Sequence, residues 1–281
     1  MHIFARYFSR RADWHAVGRG LVRYTLPLLP GSLCWWLMQS SDRWFIMHYL
    51  GLDVNGVYAV ATKFTGIIQT LAVIFYQAWQ ETAILQYGSS DRDRFFSRMF
   101  NAYISVLAVI LIGYTFVVKF NYFWLVESKY QASLDFLYPL GVSAVFFAAA
   151  AFFDMGYQCA KDTARTLPAI TAAALVNVAL NFTLIGRIGI SGVLVTSIMT
   201  NVVLLAIRMA DMRRYFKLTI YPSTAIPLLA MAVCYVPFVA DMPWWQSALL
   251  ATAGAAASIA AMPRAVLADI ASKITSRLHR A

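Results

Sequence analysis

Apolar stretches of about twenty residues recur along this chain from end to end, and that recurrence limits the fold more than anything else in it. A hydrocarbon core about 30 Å thick takes roughly 20 mostly apolar residues to cross as a helix, because every backbone N–H and C=O must find its partner within the segment. Eight stretches qualify, over residues 24–50, 54–80, 99–118, 136–153, 167–185, 189–207, 218–240 and 242–262. Hydrophobic residues make up 60% of the 281 and charged ones 13%, against about 25% charged in a soluble domain. No Gly/Ser/Pro-rich linker divides the chain. The expectation is an all-α, polytopic transmembrane helical bundle of about eight spans.

Turn and breaker residues fall where such a bundle needs them. Gly51 to Gly56 forms a tight connection, and Pro168 suits a first helical turn, where the missing N–H has no partner to lose. Pro27 and Pro30 are expected to kink the first span. The seventh span is the weakest helix, because Pro222, Pro227 and Pro237 each remove a backbone hydrogen bond. Residues 1–23 hold five arginines and no apolar core with a cleavage site, so they read as a juxtamembrane segment and not as a signal peptide. In the tail, 263–281, Leu267, Ile270, Ile274 and Leu278 share a helical face turned away from Lys273, Arg277 and Arg280. Such a helix is expected to lie on anionic membrane lipids.

The net charge of +10 comes from basic residues placed between the apolar runs, which is the placement the positive-inside rule produces and not a nucleic-acid-binding face. Eight spans sort the connections into two sets. One holds eighteen Lys and Arg, in residues 1–23, the second-to-third, fourth-to-fifth and sixth-to-seventh connections and the tail; the other holds Arg43, Lys119, Lys129 and Arg187. Both termini are therefore expected on the cytoplasmic side.

Cys34, Cys159 and Cys234 are too few and too scattered for a disulfide framework, and so are the four histidines for a metal site. The chain carries no metalloprotease, Walker A or serine-nucleophile motif, no cofactor or metal is expected, and an enzyme reading finds no support. An intramembrane glycosyltransferase would want paired carboxylates at the outer surface, and Asp42, Asp53, Glu127, Asp135 and Asp241 form no pair in sequence.

The informative residues are polar ones inside apolar segments. Lys63 lies about nine residues into the second span, hence about 13 Å deep, where insertion costs about 2.5–3.5 kcal/mol. Lys63, Gly66, Thr70, Gln77 and Glu81 follow helical steps, a polar stripe that either faces a cavity or pairs with neighbouring helices while Lys63 snorkels. Asp42 and Arg43 read either as an interfacial ion pair or as part of a site. Asp154, Gln158 and Lys161, at i, i+4 and i+7, read as an interfacial anchor or a gate. Asn177 and Asn181 share a face suited to bonding across to another helix, and Gly189 to Gly192 brings the fifth and sixth spans close together.

Three stretches together resemble the second half of the polysaccharide (O-antigen-type) flippases of the multidrug/oligosaccharidyl-lipid/polysaccharide exporter superfamily. They are Tyr24 to Pro30 with Ser41 to Ile46; Leu50 to Phe64 running on to Phe75-Tyr76-Gln77-Ala78-Trp79-Gln80-Glu81; and Asn177 to Phe182 with Ile188 to Gly192. The resemblance covers about residues 23–215. It implies a six-helix lobe over 24–217, followed by two additional helices over 218–262, and a central cavity through which a polyprenyl-pyrophosphate-linked oligosaccharide headgroup passes across the bacterial cytoplasmic membrane by alternating access. It gives Lys63 a role in attracting the pyrophosphate; the residue pattern adds Thr70, Gln77, Glu81, Asp42 and Arg43 as cavity candidates and Asp154, Gln158, Lys161, Asn177 and Asn181 as gate or packing candidates. A cation gradient is the implied energy source. Family members have two lobes, so the chain is expected to work with a separate N-terminal half or as a homo-oligomer. The alternative is a non-transporting membrane subunit, or a truncated remnant, in a polysaccharide biosynthesis assembly.

The charge distribution makes a direct prediction. Alkaline phosphatase fused after Arg214 or Arg280 should be inactive in cells, and activity at either point would overturn the assignment of both termini to the cytoplasm.

Overall fold

The computed structural model describes residues 28–240 and 242–268, together with Gly18, Val22, Thr25 and Leu26. Pro27, the juxtamembrane arginines and the apolar face of the tail beyond Ala268 lie outside the described residues, as does Asp241. Among the described residues there are helices and no strand. In chain order they are α1 (Leu28–Leu50), α2 (Leu52–Gln86), α3 (Arg92–Leu125), α4 (Leu134–Phe152), α5 (Asp154–Cys159), α6 (Thr166–Ile188), α7 (Ile190–Met212), α8 (Ala225–Val233), α9 (Val236–Val239) and α10 (Trp244–Ala260).

Among the described residues, six helical segments are long and apolar enough to cross a membrane: Leu52–Gln86, Arg92–Leu125, Ser128–Cys159, Thr163–Ile188, Ile190–Met212 and Pro222–Val239. This is a multi-pass membrane protein with an all-helical bundle. The other two expected spans are helical but fall short for different reasons. Helix α1 has 23 residues, yet Gln39, Ser40, Ser41, Asp42 and Arg43 interrupt its apolar run. Helix α10 has only 17 residues. Pro30 falls in the first turn of α1 and so leaves the helix unbroken.

Helices α2 and α3 run to 35 and 34 residues, about 50 Å each and far longer than the spans expected. The surplus is polar. Glu81 to Gln86 and Arg92 to Arg98 continue the helices past the apolar middle, where hydropathy gives no signal but backbone hydrogen bonding goes on. The seventh span is broken as its prolines require: residues 216–221 are non-helical, Pro222 opens a 3-10 turn (Pro222–Thr224), and Pro227 and Pro237 sit in the first turns of α8 and α9.

The largest core joins α2, α3, α4 and α5. Trp79 is stacked between Phe152 at 5.1 Å and Phe95 at 5.6 Å, with Phe96 edge-on at 5.3 Å. Helices α6 and α7 form the tight hairpin expected. A Cβ on Gly192 would lie 2.8 Å from the Leu184 carbonyl carbon, and Gly189 turns with φ +61°, so both positions need glycine. The terminal helices are pinned to α3 and α4 by polar groups. Asn101 donates to the Thr219 carbonyl at 3.0 Å and accepts from the Tyr221 amide at 2.9 Å; Tyr138 donates to the Met231 carbonyl at 2.6 Å; Lys119 donates to the Pro237 carbonyl. Lys119 thus belongs to a helix and not, as expected, to a connection.

Arg208 was likewise expected in a connection and instead lies buried in α7. Its Nη1 donates to the Ala150 carbonyl and to Asp154 Oδ2, both at 3.0 Å, and so bridges the break between α4 and α5 at Phe153. Removing Arg208 strands the Asp154 carboxylate, which is still 26% exposed, and takes a donor from the Ala150 carbonyl. Arg208→Ala should therefore destabilise the chain by about 1–3 kcal/mol, seen as a lowered melting temperature in detergent, and adding Asp154→Asn should recover part of the loss. Equal stability of Arg208→Ala and the unaltered chain would show the pair to be dispensable.

Candidate functional site

Four helices meet around one carboxyl group. Asp42 points from α1 into the bundle, 6% exposed, and its two oxygens take four donors from three other helices. Asn181 Nδ2 donates to Oδ1 at 2.6 Å and Asn177 Nδ2 at 3.1 Å, both from α6; Tyr58 from α2 and Ser197 from α7 each donate to Oδ2 at 3.2 Å. Beside them Ser41 donates to Asn177 Oδ1 at 2.6 Å. A buried carboxyl survives only when its oxygens are bonded, and here each oxygen has two partners.

Next to this node a cavity of about 450 Å³ opens among α1, α2, α4, α6 and α7. Arg43 and Lys63 line it from α1 and α2, with the amides Gln39 and Gln69 and the indoles Trp35 and Trp36; Ser143, Thr200 and Asn201 line it from α4 and α7. Both cations are exposed to it. Among the described residues neither is in an ion pair. Lys63 is eleven residues into α2, about 16 Å from its start, deeper than expected because α2 begins at Leu52.

The structure thus brings together three of the six expected cavity residues, Asp42, Arg43 and Lys63, and separates the other three. Thr70, Gln77 and Glu81 are exposed on α2 and do not line the cavity. Thr70 Oγ1 returns to the Gly66 carbonyl at 2.9 Å. The stripe drifts off the cavity because the turn after Lys63 presents Gln69 to it. Asp42 and Arg43 do not form a local ion pair. Consecutive residues on a helix point about 100° apart, so one enters the node and the other the cavity.

Asn177 and Asn181 do bond across to another helix, and their partner is the Asp42 carboxyl. Asp154, Gln158 and Lys161 do not form one group. Asp154 pairs with Arg208, Gln158 donates to Tyr76 Oη at 2.9 Å and accepts from Gln80 Nε2 at 3.3 Å, and Lys161 is exposed with φ +56°. Beyond Lys161, Asp162 joins Arg165 at 2.7 Å and accepts from Tyr215 Oη at 2.9 Å. Burial, then that hydrogen bond, pushes the Tyr215 phenol up to about 12. These contacts fasten the α5–α6 connection to the end of α7.

Sequence reading missed Tyr58, Ser197, Gln39, Gln69, Trp35, Trp36, Thr200 and Asn201. A signal existed for some of them: Thr196, Ser197, Thr200 and Asn201 repeat at helical steps within an apolar run, and Gln39 stands one turn before Arg43. Among the described residues no group of three His, Cys, Asp or Glu is placed to hold a metal ion, and Cys34, Cys159 and Cys234 are free thiols.

No known protein family, curated protein or solved structure matches this chain.

The node predicts an asymmetry between two substitutions. Asp42→Ala takes the shared acceptor from four donors, of which only Asn181 keeps another, Asn177 Oδ1 at 3.4 Å, at about 1 kcal/mol or more for each that stays buried and unpaired, whereas Asp42→Asn keeps one acceptor oxygen. Asp42→Ala should lower the melting temperature in detergent well below that of Asp42→Asn, and equal values for the two would remove the carboxyl from the centre of the packing.

Proposed function

We propose that this chain takes part in moving a lipid-linked, acid-bearing oligosaccharide precursor across a bacterial cytoplasmic membrane by alternating access. The observation that carries the reading is the pair of unpaired cations, Arg43 and Lys63, projecting from two helices into one cavity within the membrane-spanning part of the chain. A charge held near mid-membrane without a partner is costly and marks a substrate pathway far more often than a packing contact. Asp42 does not neutralise them by direct pairing, since its oxygens are engaged by Asn177, Asn181, Tyr58 and Ser197. An anion entering the cavity would meet two cations in surroundings of low dielectric, where their attraction is stronger than in water.

The flippase-like stretches support the same reading, because they supply both cations, Arg43 and Lys63, and most of the node, Asp42, Tyr58, Asn177 and Asn181. Thr70 and Gln77, exposed within the apolar part of α2, add a second support. A polar row exposed on a spanning helix is costly against lipid, so a second lobe, from another chain or another copy, is expected to face it and close the cavity. Cytoplasmic placement of both termini belongs to this proposal.

Arg43→Ala with Lys63→Ala should abolish complementation of a flippase-deficient strain at unchanged protein level, and Lys63→Arg should keep part of it. Full complementation by the double variant would overturn the reading. Loss of transport from reconstituted vesicles with binding retained by the unaltered chain would favour the non-transporting subunit.

A further inference from the structure

Along α1 the side chains that line the cavity change character turn by turn. Arg43 stands nearest the Gly51 turn, Gln39 one turn further in, and Trp35 and Trp36 one turn beyond that, about 12 Å from Arg43 along the axis. On α2, Lys63 stands at about the level of Gln39, and Gln69, about 9 Å further along, near the level of the indoles. The cavity therefore has its cations toward the Gly51 turn and its indoles away from it, with one amide beside each.

The two indoles differ from the other described tryptophans. Trp79 is 3% exposed and stacked on Phe95 and Phe152, and Trp44 packs against the rings of Phe45 and His48. Trp124, Trp244 and Trp245 sit in the last turn of α3 and the first turn of α10, the level at which interfacial aromatics anchor a span. Trp35 and Trp36 lie about 10 Å inside the nearer end of α1, 41% and 61% exposed, with no ring partner and no hydrogen bond to the indole N–H among the described residues. Gln39 and Gln69 are likewise without hydrogen-bond partners. Side chains of this kind, left open in a cavity, suit a ligand with three features: an acid for the cations, hydroxyls for the amides, and flat apolar C–H faces for the indoles. A pyranose ring joined to a phosphate has all three.

We propose that Trp35 and Trp36 form the platform for the first glycosyl ring of the ligand, so that the cavity holds an acid-linked sugar in one direction, acid group at Arg43 and Lys63 and ring at the indoles. This rests on the functional reading above and adds to it the subsite that tells a glycosylated ligand from a bare lipid pyrophosphate.

The test uses the full chain purified in mild detergent and two probes, farnesyl pyrophosphate and farnesyl-pyrophosphoryl-N-acetylglucosamine. The unaltered chain should bind the glycosylated probe about fivefold or more tighter, the effect of one aromatic contact. Trp35→Leu with Trp36→Leu should erase that difference and leave the affinity for farnesyl pyrophosphate unchanged, which also shows that the variant is folded. Trp35→Phe with Trp36→Phe should keep most of the difference, and Arg43→Ala with Lys63→Ala should weaken both probes. Equal affinity of the unaltered chain for the two probes, or a preference that survives the leucine pair, would overturn the platform. Binding of neither probe would instead overturn the functional reading on which it rests.

Discussion

Everything on the cavity side of the bundle depends on burying the Asp42 carboxyl. Four donors from α2, α6 and α7 converge on it, and together they fix both the position of α1 and its rotation about its own axis. With Asp42 turned into the bundle, Arg43 can only face the cavity, and Gln39 and Trp36 follow on the same side at helical steps. In a membrane the alternative for such a group is an unbonded carboxyl in hydrocarbon, so the bonds act as a strong constraint on register even where each is modest in net energy.

The opposite side of the bundle is built on other physics. Trp79 with Phe95, Phe96 and Phe152 is held by shape and ring packing, and the α6–α7 hairpin by the close approach that Gly192 allows. Lipid tails are as apolar as leucine, so helix association in a bilayer draws on packing, small residues and polar links. The polar links here fall at the irregular places: Arg208 and Asp154 at the break between α4 and α5, and Asn101, Lys119 and Tyr138 along the broken terminal pair. A helix that stops inside the membrane frees backbone groups, and these side chains supply their partners.

The bundle is packed tightly on one side and open on the other, and the open side is polar and cationic. Two cations, several amides and hydroxyls and two indoles line it. The exposed row of Thr70, Gln77 and Glu81 beside this opening extends the polar surface beyond the cavity, which is what a lobe facing a counterpart would carry.

The apolar stretches by themselves determined that the chain is a helical, multi-pass membrane protein, because hydrocarbon leaves a segment of that composition no other way to satisfy its backbone. Prolines 222, 227 and 237 foretold the broken seventh span, glycines 189 and 192 the tight hairpin, and Lys63 and Asn177 with Asn181 were legible as costly polar residues that must find partners or water. Helix ends were not legible, since α2 and α3 continue on polar residues that hydropathy does not see. Which partner each polar residue finds was decided only by tertiary structure. The spacing of Thr70, Gln77 and Glu81 joins them to Lys63 along α2, yet the packing of α2 against α4 and α1 turns Gln69 to the cavity and leaves the rest outside. Asp42 and Arg43 are neighbours in sequence and share no contact of opposite charge. Periodicity places a side chain on a face of its own helix, while the groups opposite that face come from other helices, for Asp42 between 16 and 155 residues away, and no local pattern encodes them.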